Sequence, residues 1–406
     1  MAEGLEGLDY AGLDIPTPSF VIDRALLRRN MRLLERVQAE AGCTVLLAMK
    51  GFATWEFFDE MAPYLGGVAA SSPYEARLAR ETFPDGQIHI YSPAYAPGEM
   101  DELIPLADHI VFNSFRQWRT YRGRIRSSGR PIEVGLRVNP EYSEVQAEIY
   151  NPCTMRSRFG IRGFEFNGES LDGITGLHFH TMCQQGADVL VRTLKCVERL
   201  FGKLFERLKW INFGGGHHIT REGYDVDLLC RTIREFRRRT GLQVYLEPGE
   251  AHVMNTGFLV STVLDVIENP HSLDVAILDT SAAAHMPDVL EMPYTPYVLH
   301  GEVSYSDHAD EPLDEFPYKY LLGGKTCLSG DVIGEYGFDR RLQVGDRVVL
   351  TDMAQYTMVR TTMFNGIQMP AIVSCDSDVP GGDVRILREF GYEDYKERLG
   401  RRVRPS

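Results

Sequence analysis

Short apolar runs alternate with stretches of helical spacing between residues 44 and 250 of the chain. Each run is continuously apolar, as expected for parallel strands that are covered on both faces. The predicted strands occupy residues 44–50, 67–71, 88–92, 109–113, 133–139, 174–180, 210–215 and 244–249.

Helix signals separate these predicted strands. Thr54, Ser72 and Ser114 are residue types preferred at an N-cap, and Pro73 follows Ser72 at the first helical position. Asp23 precedes RALLRRNMRLLERV, in which apolar residues recur at helical spacing. Eight strands that alternate with helices over about 200 residues favour an α/β fold with a (β/α)8 TIM-type barrel. An open doubly wound sheet would also alternate in this way.

The pattern changes after residue 255, where turn residues rather than helices separate the predicted strands. These strands lie at 257–269, 274–281, 297–303, 347–353 and 356–367, and an early strand at 17–23 could join them. We therefore predict a barrel domain, residues 24–255, and a β-rich domain of sandwich or barrel type, residues 1–23 and 256–406.

Length, charge and cysteine usage narrow the class of protein. The chain has 406 residues and a net charge of −14, which argues against nucleic acid as a partner and mildly favours a cationic substrate. The first residues, MAEGLEGLDY, lack a basic and an apolar stretch, and no apolar run of about 20 residues occurs, so we expect neither a signal peptide nor a membrane partner. The seven cysteines are scattered without a CxxC pair, which predicts free thiols, a cytoplasmic location and no metal site.

Polar residues recur where the predicted barrel strands end, which is where such barrels carry their function. They are Lys50, Arg137, His178, His180, Gly214, Gly215, Gly216, His217, His218, Glu247 and Glu250. Singly, each has an ordinary explanation, such as a lysine at a strand end, a buried histidine or a tight turn. His217 and His218 are adjacent, so in an extended chain they point to opposite sides and make a poor metal pair.

Together, these residues predict pyridoxal 5′-phosphate (PLP) as the cofactor. Lys50 follows apolar residues, which lower the pKa of an amine and make it a nucleophile toward an aldehyde. Gly214, Gly215 and Gly216 allow backbone amides to approach a phosphate. Glu247 could keep the pyridine nitrogen protonated, and the resulting electron sink suits decarboxylation.

Seven segments carry a family resemblance: LLAMK, LHFHTMC, NFGGGHH, YLEPGE, HMPDVLEMPY, GGKTCLSGD and AQYTMV. In this combination, over about residues 15–372, the chain resembles the carboxynorspermidine/carboxyspermidine decarboxylase family of fold-type III PLP decarboxylases. The resemblance implies an alanine racemase-like barrel and a homodimer with shared active sites.

The resemblance also implies roles for single residues. Lys50 reacts with the cofactor aldehyde, His180 stacks on the pyridoxal ring and Arg137 lies near the ring hydroxyl. The glycines hold the phosphate, which Tyr356 reaches from the β-rich domain, and Glu247 pairs with the pyridine nitrogen. Cys327 donates a proton in the partner's active site after CO2 leaves.

Carboxylates are the implied ligands of a cationic substrate. The candidates are the carboxylates Glu250, Asp279, Asp288, Glu291 and Asp331, together with His285. The chain departs from the family pattern at Gln184, where glutamate is expected, and at Lys325, Thr295 and Gln355. The catalytic set is intact while the substrate-facing set is altered, so the polyamine acid stays open.

Two decarboxylase functions fit the sequence, and two other functions of this fold fit it less well. Decarboxylation of carboxynorspermidine or carboxyspermidine in spermidine biosynthesis comes first, and the same reaction on carboxyaminopropylagmatine or a diamino acid comes second. An amino-acid racemase needs an acid–base residue on the second face of the cofactor, typically a tyrosine, and a weak electron sink at the pyridine nitrogen. Cys327 and Glu247 argue against these two requirements. A non-catalytic PLP carrier would lack the β-rich domain.

Overall fold

The computed structural model describes residues 8–292, 294–299 and 316–400. The chain forms two compact units. The barrel unit is Arg28–His252, and the sheet unit consists of the described residues of Met1–Leu27 and Val253–Ser406. The structural limits of the barrel unit thus lie a few residues inside the predicted domain of 24–255.

Strand β1 (Ser19–Asp23) leads directly into helix α1 (Arg24–Ala41). The Asp23 carboxylate accepts the backbone N–H of Ala25 at 2.9 Å, which confirms the predicted cap. The predicted N-caps Ser72 and Ser114 are also confirmed, because each hydroxyl accepts a backbone N–H three residues later at 3.2 Å.

Eight parallel strands close into a barrel, as predicted. They are β2 (Thr44–Ala48), β3 (Gly67–Ala70), β4 (Gln87–Tyr91), β5 (His109–Phe112), β6 (Glu133–Asn139), β8 (Gly176–His178), β9 (Trp210–Asn212) and β10 (Gln243–Leu246). The two-residue strand β7 (Ile161–Arg162) pairs in parallel with the carboxyl end of β6. Parallel pairing of β10 with β2 and of β5 with β6 closes the ring.

Helices lie between the barrel strands. The α-helices are α2 (Phe58–Met61), α3 (Pro73–Thr82), α4 (Pro97–Leu103), α5 (Phe115–Ser127), α6 (Ala187–Phe201) and α7 (Val226–Thr240). Single 3-10 turns occur at Trp55–Phe57, Ala62–Tyr64, Glu148–Tyr150, Gly163–Phe166, Gly202–Arg207 and Glu250–His252. Thr54 immediately precedes the first of these turns, so a helical turn begins where its sequence predicts one.

Aromatic and imidazole rings fill part of the barrel interior. The rings of His89 and His109 stack with centroids 3.8 Å apart, and Trp210 and Tyr245 lie 5.1 Å and 5.4 Å from His109. Burial lowers the pKa of His109 to about 4 and that of His89 well below its ordinary value. Both imidazoles are therefore neutral at pH 7.

A nine-stranded mixed sheet forms the sheet unit, in the order β15-β14-β12-β11-β1-β17-β18, with β16 paired to β11 and β13. These strands are β11 (Gly257–Ile267), β12 (Asp274–Leu278), β13 (Val298–Leu299), β14 (Tyr318–Gly323), β15 (Val332–Phe338), β16 (Arg347–Thr351), β17 (Ala371–Cys375) and β18 (Arg385–Arg388). The short helices are α8 (Ala282–His285), α9 (Asp288–Glu291), α10 (Thr357–Arg360) and α11 (Tyr392–Leu399), with a 3-10 turn at Phe364–Gly366. Because β1 pairs with β11 and β17, the prediction that the early strand joins this unit is confirmed.

One predicted strand is wrong. Residues 356–367 form α10 and a 3-10 turn, and both Tyr356 and Asn365 have left-handed backbones, with φ of +56° and +59°. A β-strand cannot contain such residues without breaking its ladder. The predicted strand at 297–303 is seen as β13, and residues 300–303 lie outside the described ranges.

The sheet unit is held together by apolar packing. Side chains of the sheet unit form an apolar core that includes Phe20, Leu259, Leu322, Tyr336 and Leu350.

All seven cysteines of the chain are described and are free thiols. Within the described ranges, no helix is both long and apolar enough to cross a membrane.

Candidate active site

A cavity of about 390 Å³ is lined by side chains from the carboxyl ends of the barrel strands. The structure brings four of the predicted site residues together in it: Lys50, Arg137, His180 and Glu247. Tyr91 and His178 also line this cavity. The side chains meet because parallel strands of a closed barrel all end at one rim.

Lys50 is a base and Glu247 an acid in the same cavity, where Lys50 keeps accessible surface and Glu247 is partly buried. Partial loss of solvent inside the cavity lowers the pKa of Lys50, although the carboxylate of Glu247 opposes that shift. Burial raises the pKa of Glu247, which Lys50 opposes in turn. The lysine is thus biased toward the neutral amine, which is the nucleophilic form, and the glutamate toward holding a proton.

Aromatic rings hold the guanidinium of Arg137. Its guanidinium carbon lies 4.6 Å from the ring centroid of Tyr91 and 4.3 Å from that of Phe159. The Nη2 atom donates a hydrogen bond of 3.2 Å to the carbonyl oxygen of His180. These contacts fix a permanent positive charge in the cavity wall.

The backbone amide of Gly215 sets the state of His180. It donates a hydrogen bond of 2.7 Å to Nδ1 of the imidazole, so Nδ1 acts as an acceptor and any proton of the neutral ring is on Nε2. Burial lowers the pKa of His180 well below its ordinary value. A neutral, oriented ring that faces the cavity suits stacking on a flat aromatic cofactor.

The glycine loop after β9 needs glycine because protein backbone surrounds it. Gly214 and Gly216 have φ of +73° and +82°, and a Cβ on Gly216 would lie 2.1 Å from the Met182 carbonyl oxygen. The Gly214 and Gly215 amides already donate to side chains of the barrel. Among the three glycines, Gly216 is the one whose amide has no acceptor in the described part of the chain.

Asn212 is a site residue that the sequence analysis missed. Its Nδ2 atom donates to Oε1 of Glu247 at 2.6 Å, and its Oδ1 atom accepts the Gly214 amide at 2.8 Å. Nε2 of His178 lies 3.5 Å from Oε2 of Glu247, and burial lowers the pKa of His178 well below its ordinary value. The sequence did offer a signal for Asn212, because it is a polar residue at the end of an apolar strand, two positions before Gly214.

Glu250 forms a small polar cluster with Gln184 and His218. Gln184 Nε2 donates to Oε1 of Glu250 at 3.0 Å, and the Nε2 atom of His218 contacts Oε2. Gln184 stands where the family resemblance predicts a glutamate. It therefore donates a hydrogen bond to Glu250 instead of adding a negative charge. One carboxylate remains in this cluster.

The loop that carries Cys327 belongs to the sheet unit and is closed by Asp331. The Asp331 carboxylate is 4% exposed and accepts hydrogen bonds from the Ser281 hydroxyl, the Ala283 amide, and both the amide and hydroxyl of Thr326. A Cβ on Gly324 would come within 2.3 Å of this carboxylate. Asp331 thus uses its oxygens to hold the loop, and its predicted contact with a substrate amine stays a prediction.

The exposed thiol of Cys327 meets an amide that the sequence analysis did not identify. Sγ lies 3.1 Å from Oδ1 of Asn365, and the Cys327 backbone amide donates to the same oxygen at 3.4 Å. A backbone amide can only donate, so the atom facing the thiol is an acceptor and the thiol is the donor. Nothing in the structure explains the neighbouring Lys325.

The other substrate candidates of the sheet unit fall into two groups. Asp279 and His285 are buried, and they bond to Ser261 and Thr280, respectively. Asp288 and Glu291 lie on α9, keep accessible surface, and both contact the guanidinium of Arg360. Tyr356, the predicted phosphate ligand, is half-buried and precedes α10.

The barrel residues meet the chemical requirements of PLP. The cofactor needs an amine for its aldehyde, an anion site for its phosphate and an acid for its ring nitrogen. Lys50 has a lowered pKa and Glu247 a raised one, and the backbone around Gly216 leaves no room for a side chain. Chemistry and space therefore fit this group.

Comparison with known proteins decides the family. The model described as "Pyridoxal-dependent decarboxylase, C-terminal sheet domain" matches residues 19–354. The chain belongs to the pyridoxal-dependent decarboxylase family. As predicted, this decarboxylase uses PLP as its cofactor.

Relatives of this decarboxylase cover nearly its whole length. It is 44% identical to a carboxyaminopropylagmatine decarboxylase of Synechocystis sp., over 95% of this chain and 96% of the relative. It is also 44% identical to a carboxynorspermidine/carboxyspermidine decarboxylase of Campylobacter jejuni, over 95% and 98%.

Solved structures support the same fold. The crystal structure of the Campylobacter jejuni carboxynorspermidine decarboxylase complexed with norspermidine superposes with a TM-score of 0.86 at 42% identity, covering 95% of this chain and 100% of that one. A diaminopimelate decarboxylase of Helicobacter pylori, at 16% identity and a TM-score of 0.79, covers 95% of this chain and 97% of that one, and it shares the fold.

Proposed function

We propose that this enzyme decarboxylates carboxynorspermidine or carboxyspermidine and so produces norspermidine or spermidine in polyamine biosynthesis. The observation that carries the substrate class is the charge excess on α9, where Asp288 and Glu291 share the single guanidinium of Arg360. Among the described residues Arg360 is the cation that contacts this pair, and the negative charge left over suits an amine of a polyamine. Similarity to the Campylobacter jejuni enzyme supports the choice of substrate.

The barrel residues divide the chemistry among them. PLP, when bound, supplies the electron sink that accepts the electron pair left as the bond from Cα to the carboxylate breaks. Lys50 holds the cofactor, Glu247 keeps a proton at its ring nitrogen, and His180 offers a neutral ring face. The thiol of Cys327 gives its proton to the carbon that has lost CO2, and solvent then returns a proton to sulfur.

We propose further that the enzyme is a homodimer in which Cys327 and Tyr356 act in the partner's active site. The exposure of Cys327 on a loop supports this assignment, because its thiol is accessible to a second chain. Mixing Lys50→Ala subunits with Cys327→Ala subunits should restore about a quarter of wild-type activity, since half of the dimers then carry one intact site. No recovery after subunit exchange would contradict shared sites.

The substrate candidates differ in how they can act. Glu250, Asp288 and Glu291 keep accessible surface, so we assign them direct contact with the polyamine. Asp279, His285 and Asp331 are buried and bonded within the sheet unit. Their predicted role in substrate binding therefore requires that they act through the residues they hold.

A cytoplasmic location is part of the proposal. Its support is that all seven cysteines are free thiols, which persist in reducing compartments. Measuring the distribution of the protein between cytosolic and other cell fractions tests it, and recovery outside the cytosol would contradict it.

Turnover of a substrate panel tests the proposed activity. Purified enzyme with PLP is given carboxynorspermidine, carboxyspermidine, carboxyaminopropylagmatine and a diamino acid, and CO2 release is measured. We expect kcat/KM for the first two to exceed that for the diamino acid by at least about 100-fold, because unfilled polar sites discriminate strongly. Preference for carboxyaminopropylagmatine would favour the second candidate, which the Synechocystis relative supports equally in identity.

A further inference from the structure

Asn212 joins two parts of the cofactor site that the sequence separates. It lies at the end of β9, is 1% exposed, and bonds to the glycine loop on one side and to Glu247 on the other. The two hydrogen bonds measure 2.8 Å, from the Gly214 amide to Oδ1, and 2.6 Å, from Nδ2 to Oε1 of Glu247. A single side chain therefore spans from the loop to the acid.

The orientation of this amide follows from its neighbours. The Gly214 backbone amide can only donate, so the Asn212 atom that faces it is the oxygen. The amide nitrogen is thereby turned toward Glu247, to which it can only donate. Bonding to a residue two positions later is an Asx turn, which also fixes the start of the glycine loop.

Among the described residues, Asn212 is the side chain that fixes the orientation of the Glu247 carboxylate. Its second oxygen, Oε2, lies 3.5 Å from Nε2 of His178, whose ring is neutral and too distant for a strong hydrogen bond. The 2.6 Å contact from Asn212 is therefore the one short side-chain hydrogen bond to this carboxylate within the described residues.

We propose that Asn212 is a positioning residue that couples the phosphate-binding loop to the acid at the cofactor ring nitrogen. Through one amide, the position of the loop fixes the direction in which Glu247 presents its carboxylate. The inference rests on the proposed function, in which Glu247 holds a proton at that nitrogen.

Two variants separate the halves of this coupling. Asn212→Ser can still form the turn to Gly214, because serine makes the same i to i+2 bond more weakly, but it has no group that reaches Glu247. Asn212→Ala removes both bonds. Asn30→Ala is the matched control, since it removes another buried amide of the barrel unit, bonded at 3.3 Å to the His252 carbonyl oxygen.

The readout is binding of two cofactors to the apoenzyme, so it does not depend on turnover. One is PLP and the other is its 1-deaza analogue, in which carbon replaces the ring nitrogen. The analogue retains the phosphate and the aldehyde but offers nothing to Glu247. We expect wild type to prefer PLP by about 10- to 100-fold, the range for a charge-assisted hydrogen bond.

The variants should differ in which of the two cofactor affinities they change. Asn212→Ser should lower the preference for PLP by at least about fivefold while binding the deaza analogue within about twofold of wild type. Asn212→Ala should also weaken binding of the deaza analogue, by about fivefold or more, because the loop loses its turn. Asn30→Ala should leave both affinities within about twofold.

Measuring Glu247→Gln in the same assay distinguishes failure of the Asn212 coupling from failure of the proposed role of Glu247. If it lowers the preference for PLP while Asn212→Ser does not, the coupling is wrong and the proposed role of Glu247 stands. If Glu247→Gln keeps the full preference, the role of Glu247 and the coupling both fall. Asn212→Ala binding the deaza analogue as tightly as wild type would also overturn the inference, and the serine variant decides it should the alanine variant not fold.

Discussion

Replacing Gly216 by alanine tests whether the glycine loop holds the cofactor phosphate. Gly216 has φ of +82°, and the new Cβ would lie 2.1 Å from the oxygen and 2.2 Å from the carbon of the Met182 carbonyl. Both atoms belong to the backbone, so rotation of a side chain cannot relieve the overlap. The loop itself has to move.

The size of the effect follows from two contributions. Alanine in the left-handed conformation costs about 1–2 kcal/mol, and overpacking of a close-packed site costs about 1–3 kcal/mol. If the loop relieves this overlap by moving, PLP binding has to restore the native loop. A loss of about 2–5 kcal/mol in binding free energy raises the Kd for PLP roughly 30-fold to several thousand-fold.

Equilibrium dialysis of the apoenzyme against PLP measures this Kd. Gly223→Ala is the matched control, because Gly223 has a similar φ of +74° while a Cβ there would meet nothing within 4 Å. It carries the backbone strain without the overlap, so we expect a small loss of stability and a Kd within about threefold of wild type.

Two results would refute this reasoning. Wild-type PLP affinity in Gly216→Ala would show that the loop is not the phosphate site. Equal weakening in Gly223→Ala would show that general backbone strain, rather than the approach of Gly216 to Met182, determines affinity. Far-UV circular dichroism of both variants establishes that each is folded.

Three further predictions concern other parts of the molecule. Lys50→Ala should abolish the borohydride-stable covalent link between the cofactor and the chain, which mass spectrometry of the intact protein detects; a link that persists would place the reactive amine elsewhere. Burial lowers the pKa of His109 to about 4, below its value near 6.5 in the unfolded chain, so the stability it contributes is present above pH 6.5 and lost as the pH falls toward 4. The loss is about 2 kcal/mol at pH 5, and His109→Leu should flatten the fall of Tm between pH 7.5 and 5 seen by calorimetry, whereas an unchanged slope would show that another group titrates. Asp331→Ala should raise amide hydrogen exchange over residues 324–331 by at least about tenfold, because several donors lose their acceptor; unchanged exchange with a raised KM would instead indicate direct contact with the substrate.

The barrel and several of the residues that line its cavity could be predicted because their signals are local. A buried parallel strand is a continuous apolar run, so the polar residue that ends it stands out, as Lys50 and Glu247 do. The glycine triplet is likewise visible without knowledge of its neighbours. Closure of the barrel then brings these strand ends together whatever the helices between them are.

The contacts that orient these groups could not be read in the same way. Asn212 looks like an ordinary strand residue until Glu247, 35 positions later, is placed beside it. Asp331 resembles an exposed loop carboxylate, yet Ser281, 50 residues earlier, donates to it and buries it. Asn365 reaches Cys327 across 38 residues. Such partners are set by tertiary packing rather than by spacing along the chain.

The sheet unit was harder to predict for a related reason. Strand β15, VIGEYGF, contains a charged residue and two glycines, so it lacks a clear apolar run or alternation. The segment after Tyr356 contains the β-branched residues that favour strands, but left-handed residues at 356 and 365 bend it into helical turns. Here backbone conformations imposed by the fold overrode residue preference.

We propose above all that this enzyme releases CO2 from a carboxylated polyamine and that a proton takes the place of the carboxylate. Incubation of the purified PLP enzyme with carboxynorspermidine in D2O tests it most directly, with CO2 and the labelled amine measured together. We predict one CO2 for each norspermidine and a single deuterium on the carbon that carried the carboxylate. Deuterium incorporation into the intact amino acid without CO2 release would contradict the claim and indicate a racemase.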